Sequence, residues 1–247
     1  MLLLSTAADL YWLGRYFSRS QELVDLLLAS FKDSSPESLG IPLSITGTWQ
    51  NFYQQYMTLN VESLAEFFIT ANNATSLTAC LEATRADAQA TRGRISGELW
   101  VTINSLWLEW QERITHIGTY SDHWASFDWL KQSLQTVQGL VDGYADDETK
   151  RFIVIGQLVE ALDNAFRKLV TPDAAAPLNT EIAQWAVLLL QRIEPLDKNL
   201  WQHTLQHSQN LVQVCQLCLD EDVMMNIQAM QQTLQRLTYS LADAFAA

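Results

Sequence analysis

Four arginines and two glutamates are the residues of this chain best suited to chemistry. Arg15 and Arg19 stand one helical turn apart beside Tyr11, Trp12 and Tyr16, while Arg85 and Arg92 share a polar ridge with Gln89 and Ser96. Guanidinium pairs grip planar oxyanions through parallel hydrogen bonds, so these arginines are candidates for holding a carboxylate or a phosphate. Glu98 and Glu160 are the matching acids. In one reading either serves as a general base in a pocket between two halves of the protein. In the other, Glu22, Glu98 and Glu160 neutralise buried arginines in a purely structural network. Both readings need shielded arginines, but only a ligand site also needs an open pocket beside them.

Other chemistry is poorly represented. His203 and His207 have the one-turn spacing of metal chelators, but Cys215 lies eight residues further on, about 12 Å along a helix and out of reach of the same ion. Cys215 and Cys218 fall in an apolar helical pattern without a second pair, and read as small core hydrophobes. The nine glycines are scattered and form no phosphate-cradling loop, and no serine sits in a nucleophile elbow. Neither metal nor cofactor is expected, nor any binding of ATP by this chain alone.

The elements that must position these residues are helices. Gly14-Arg15-Tyr16-Phe17-Ser18-Arg19 is echoed by Gly156-Gln157-Leu158-Val159-Glu160-Ala161, at an offset of 142 residues. The same offset sets Leu10 on Phe152, Leu13 on Ile155, Phe17 on Val159, Ser20 on Leu162, Val24 on Phe166 and Leu27 on Leu169. Both segments therefore bury one face at helical spacing. The echo suggests two related halves, about residues 1–120 and 145–247, in one domain. The first segment keeps Arg19 where the second has Ala161, and the second keeps Glu160 where the first has Ser18. Neighbours on a helix point about 100° apart, so these surviving charges are expected to face each other across a pseudo-twofold axis.

Elsewhere the periodicity predicts an all-α bundle of about eight or nine helices. One runs from Ser5 to Lys32, and Gly40, Pro42 and Gly47 mark a loop. Trp49, Phe52, Tyr53, Tyr56 and Met57 line a short helix; Asn60 caps the next. A helical pattern from Ser76 to Ile117 is expected to break near Gly93 and Gly97. Its small residues, Ala79, Ala83, Ala86, Ala90, Gly93 and Gly97, suggest a groove for a neighbouring helix. Helices over 121–141 and 147–170, a connector at 172–177, and three further helices complete the chain, the last carrying Ile227, Met230, Leu234, Leu237, Leu241 and Phe245 in heptad spacing. Most of the nine tryptophans, among them Trp49, Trp124 and Trp185, fall on apolar faces and read as core.

A net charge of −13 opposes binding to nucleic acid or an anionic membrane, both of which favour a basic face. The acidic runs at 146–148 and 220–222 precede apolar-periodic segments, where carboxylates cap helices. Three cysteines suit a reducing compartment. Asp9 interrupts the opening apolar run before a signal-peptide core is complete, and no stretch approaches the roughly 20 apolar residues of a membrane span. A cytoplasmic protein is expected.

Leu10-Tyr11-Trp12-Leu13-Gly14-Arg15-Tyr16 with Arg19 resembles the opening signature of the alpha-E family, helical bacterial proteins with a Glu-Arg pair after Gly-Arg-Tyr. A second block, from Asn73 and Ser76 through Arg85, Arg92, Ser96, Glu98 and Trp100 to Asn104, resembles the same family, as does the segment from Phe152 to Leu169. The resemblance extends to about residue 170. Ser18, Gln89, Gln157-Leu158 and Ala161 depart from the family pattern and mark a divergent member. The resemblance implies company: alpha-E proteins are associated with circularly permuted ATP-grasp ligases in systems thought to make or modify peptides. It suggests an accessory subunit that binds the ligase and helps position a carboxylate-bearing peptide or amino acid. A stand-alone enzyme using Glu160 or Glu98, and a structural scaffold, are the alternatives.

Overall fold

A computed structural model describes residues 2–70, 73–116, 120–144, 147–220 and 223–247. Among them there are eleven helices and no strand, so the all-α expectation is met and the expected helix count is too low. The chain forms two compact units, Met1–Arg15 with Asp146–Ala247, and Tyr16–Ala145. Helix α1 (Leu4–Asp33) runs from the first into the second.

The first unit contains the start of α1, then α8 (Glu148–Val170), α9 (Asn179–Ile193), α10 (Lys198–Asp220) and α11 (Val223–Ala246). Asp147 caps α8, its carboxylate accepting from the Lys150 N–H. The second acidic run, at Glu221 and Asp222, lies outside the described residues. Along α8, Phe152, Ile155, Val159, Leu162 and Phe166 are buried in the register the spacing predicts, and Leu169 is half-buried. The heptad face of α11 is likewise buried from Ile227 to Leu241. Near its end Phe245 packs on Phe152 and Trp201. Helix α10 bends at Trp201, whose backbone leaves helical geometry (φ −104°, ψ 17°).

The second unit holds the rest of α1 with α2 (Pro36–Thr46), α3 (Trp49–Tyr53), α4 (Val61–Ile69), α5 (Leu77–Ala90), α6 (Gly97–Ile114) and α7 (Tyr120–Asp142). Helix α2 occupies the stretch where Gly40 and Pro42 suggest a loop. Ser35 caps it by accepting from the Ser38 N–H, and Pro36 takes the first turn, where its missing N–H does not matter. Gly40 is buried because the Trp49 indole lies over it: a Cβ there would come within 2.9 Å of the ring. Only Gly47, at φ 69°, ends the helix, in the left-handed region that favours glycine. Tyr56 and Met57 lie beyond the end of α3, and Met57 is fully exposed, so the aromatic run forms one short turn rather than a longer helical face. Asn60 caps α4 with Ser63 in a reciprocal capping box, as expected.

The long pattern breaks where the glycines predict, between α5 and α6, with Ser96 capping α6. The small-residue groove is a correction. Ala86, Ala90, Gly93 and Gly97 are exposed, and nothing lies within 4 Å of a Cβ built at either glycine. Small residues permit close packing but do not attract a neighbour, and the apolar face of α5 instead carries Leu77, Leu81, Thr84 and Ala88. Of the tryptophans, Trp110 is fully buried and donates to the Thr78 hydroxyl at 3.0 Å, whereas Trp49, Trp124 and Trp185 are half-buried.

His123 on α7 is buried, and its Nδ1 has no hydrogen-bond partner among the described residues. Burial pushes its pKa below the usual imidazole range and outweighs the opposing pull of Glu62, Asp122 and Glu66. In the unfolded chain this imidazole protonates near pH 6.5, so acid favours the unfolded state. The stability His123 contributes is complete above that pH, falls as pH drops below it, and levels off below the folded pKa. Urea unfolding of His123→Gln should show a shallower loss of stability between about pH 6.5 and 5 than the unmodified protein.

Candidate functional site

Two glycines set the site. A Cβ built on Gly14 would lie 2.1 Å from the Ile153 carbonyl oxygen, and one built on Gly156 would lie 2.1 Å from the Tyr11 carbonyl oxygen. Helices α1 and α8 thus cross with backbone against backbone, which only residues without a side chain allow. Arg15 follows the first glycine, and Glu160 lies one turn beyond the second. The crossing therefore lays one against the other, 145 residues apart in sequence.

The Arg15 Nε donates to the Glu160 carboxylate at 2.6 Å, and its Nη1 donates to the Tyr11 hydroxyl at 3.0 Å. The Tyr11 and Trp12 rings each lie 5.9 Å from the guanidinium carbon, within cation–π range. Phe245 backs Tyr11, with ring centroids 5.4 Å apart. Side-chain exposure is 11% for Arg15 and 2% for Glu160, so the pair is desolvated. Burial alone would lower the Arg15 pKa, but the Glu160 charge and Tyr11 more than reverse this, and the guanidinium stays charged at any working pH. These bonds engage two of its five N–H donors; the other three have no hydrogen-bond partner among the described residues.

Beside this pair opens a groove of about 810 Å³, walled by α1, α8 and α11. Tyr11, Trp12 and Arg15 line it from α1, with Asp163 and Arg167 from α8. Arg167 is bonded to Asp163 at 3.1 Å. The third wall is amide-rich: Gln228, Gln231, Gln232 and Gln235 occupy one face of α11, with Tyr239 one turn further. Two guanidiniums, each tethered by its own carboxylate, and four amides thus stand among apolar side chains such as Trp12, Val159, Leu234 and Phe245 along the groove.

Of the residues singled out from the sequence, the crossing brings Arg15 and Glu160 together. Arg19, Arg85, Arg92 and Glu98 belong to the second unit. There the Arg19 guanidinium lies 5.7 Å from the Tyr16 ring. Arg85 donates to the Asn104 side chain at 2.8 Å and lies over Trp100. Arg92 is exposed in the turn after α5, and Glu98 is exposed in the first turn of α6, where a carboxylate suits the helix dipole. Sequence reasoning overlooked Arg167 and the glutamine face. The signal was present: glutamines at i, i+3, i+4 and i+7 make a stripe as regular as the apolar one opposite.

An all-α protein in which a glycine crossing seats a buried ion pair beside an open groove is the class these observations define. The chain matches Alpha-E, described as a predicted alpha-helical domain with a conserved ER motif, over residues 2–242. It belongs to that family, and the match takes in the C-terminal helices, well past the point at which the sequence resemblance fades. No curated protein and no solved structure matches the chain.

Proposed function

We propose that this chain is the accessory subunit of an amide-forming ligase of the circularly permuted ATP-grasp class, and that the groove beside Arg15 positions a carboxylate-bearing amino acid or peptide. The observation that carries the reading is the guanidinium at the groove wall. It is locked in place by Glu160 and Tyr11 and keeps three donors for a ligand. A preorganised arginine binds a carboxylate without losing rotamer freedom at that moment. Trp12, 40% exposed, offers an apolar face to the rest of the ligand. The ligase supplies the ATP chemistry.

The geometry disfavours Glu160 as a general base, because its carboxylate is bonded to Arg15 and buried away from water. We also propose that the chain is internally duplicated. Under the 142-residue offset Tyr11 corresponds to Ile153 and Arg15 to Gln157, and each glycine's nearest neighbours are the other's counterparts, as a pseudo-twofold crossing requires. No described helix is long and apolar enough to cross a membrane, and we place the subunit in the cytoplasm.

Co-expression with a circularly permuted ATP-grasp ligase from the same genome tests the proposal. The two should co-purify, and ligation should need both. Trp12→Ala combined with Arg167→Gln, at exposed positions on the groove, should leave the complex intact while raising KM for the carboxylate substrate about tenfold, as for the loss of one good polar contact. A ligase with full activity and stability in the absence of this chain would refute the reading.

A further inference from the structure

We propose that a second cavity, between α10 and α11 around His203, His207 and Arg236, is a pH-dependent site for a tetrahedral oxyanion of the phosphate or sulfate type. The cavity measures about 410 Å³. His203 and His207 project from one face of α10, one turn apart, and Arg236 faces them from α11. The third group beside the histidines is thus a cation, which turns a would-be chelate into an anion site. Among the described residues no three histidine, cysteine or acidic side chains are placed to hold a metal ion. None of the three basic groups has a hydrogen-bond or ion-pair partner among the described residues. Arg236 and His203 are exposed and His207 is half-buried, so in a chain with 28 acidic and 15 basic residues these three basic groups together make a local cationic wall that favours an anion arriving from solution.

The titratable side chains on the cavity wall are His203 and His207 from α10, and Arg236, Tyr239 and Asp243 from α11; Ala247, the last residue, also lines it. Asp243 is the one acidic side chain of that wall. The His207 pKa is lowered by burial, by Arg236 and by His203. As pH falls the His207 imidazole charges, and a bound anion, by favouring its protonated form, binds more tightly.

Sulfate is the suitable probe, since it stays fully ionised across the range. It should be titrated into the full chain near pH 5.5 and near pH 8, followed by calorimetry and by the NMR signals of the His203 and His207 rings. The charge added on His207 predicts affinity about fivefold higher at the lower pH, with both imidazole signals moving on sulfate binding and inorganic phosphate competing. Arg236→Gln, at an exposed position, should abolish binding at both pH values while leaving the thermal unfolding curve unchanged. Imidazole signals unmoved by sulfate, equal affinity at the two pH values, or signals that respond to zinc and not to sulfate would each overturn the proposal. None of these readouts depends on Arg15 or on the ligase.

Discussion

Gly156→Ala will unfold the protein under conditions the unmodified chain tolerates, and Gly14→Ala will do the same. In an ordinary helix interior the substitution is favourable by about 1 kcal/mol, because alanine restricts the unfolded chain and has the higher helix propensity. Here the new methyl group would meet a backbone carbonyl at 2.1 Å in either position. No side-chain rotation relieves that contact; α1 and α8 would have to move apart, separating Arg15 from Glu160. The loss should exceed the about 1–3 kcal/mol typical of an overpacked core. Gly139→Ala is the internal control. It lies on the exposed face of α7 with nothing within 4 Å of where the alanine methyl would sit, and should gain stability. Urea midpoints of the three variants check both signs, and a neutral Gly156→Ala would mean that the helices do not cross there.

Glu160→Gln carries the second large effect, a loss of about 3–5 kcal/mol in unfolding free energy. The neutral amide leaves the Arg15 charge 11% exposed without a counter-ion, so the cost is that of an orphaned cation rather than of one hydrogen bond. Arg15→Met alone should also cost stability, by removing a buried charged partner 2.6 Å from the Glu160 carboxylate. Replacing both, Arg15→Met with Glu160→Leu, should recover most of the loss, since well-packed apolar pairs often match a buried ion pair. That double variant separates stability from function: folded by denaturant titration, it should still fail to support ligation if the guanidinium holds the substrate. Retained ligation would assign the pair to structure alone.

Much of the fold was legible because its signals are local. Asn60 before an apolar run and Asp147 before another announce helix starts through bonds that span only three residues. The break between α5 and α6 follows from glycines and a capping serine. Helix α2 was not legible, because Gly40 is accommodated by the Trp49 ring rather than by a turn, a tertiary contact that overrides local propensity. The same limit applied to the small-residue stripe of α5, where composition allowed a neighbour that packing did not supply.

The sequence by itself determined the helical class, the buried register of α1, α8 and α11, and the candidacy of Arg15 and Glu160 within a wider set of charged residues, since periodicity and residue type are properties of adjacent positions. Only the tertiary structure decided that Arg15 bonds to Glu160, and that the glutamine face of α11 walls a groove beside it. Partners 145 residues apart are chosen by how helices cross, and the crossing depends on backbone distances that no local spacing encodes.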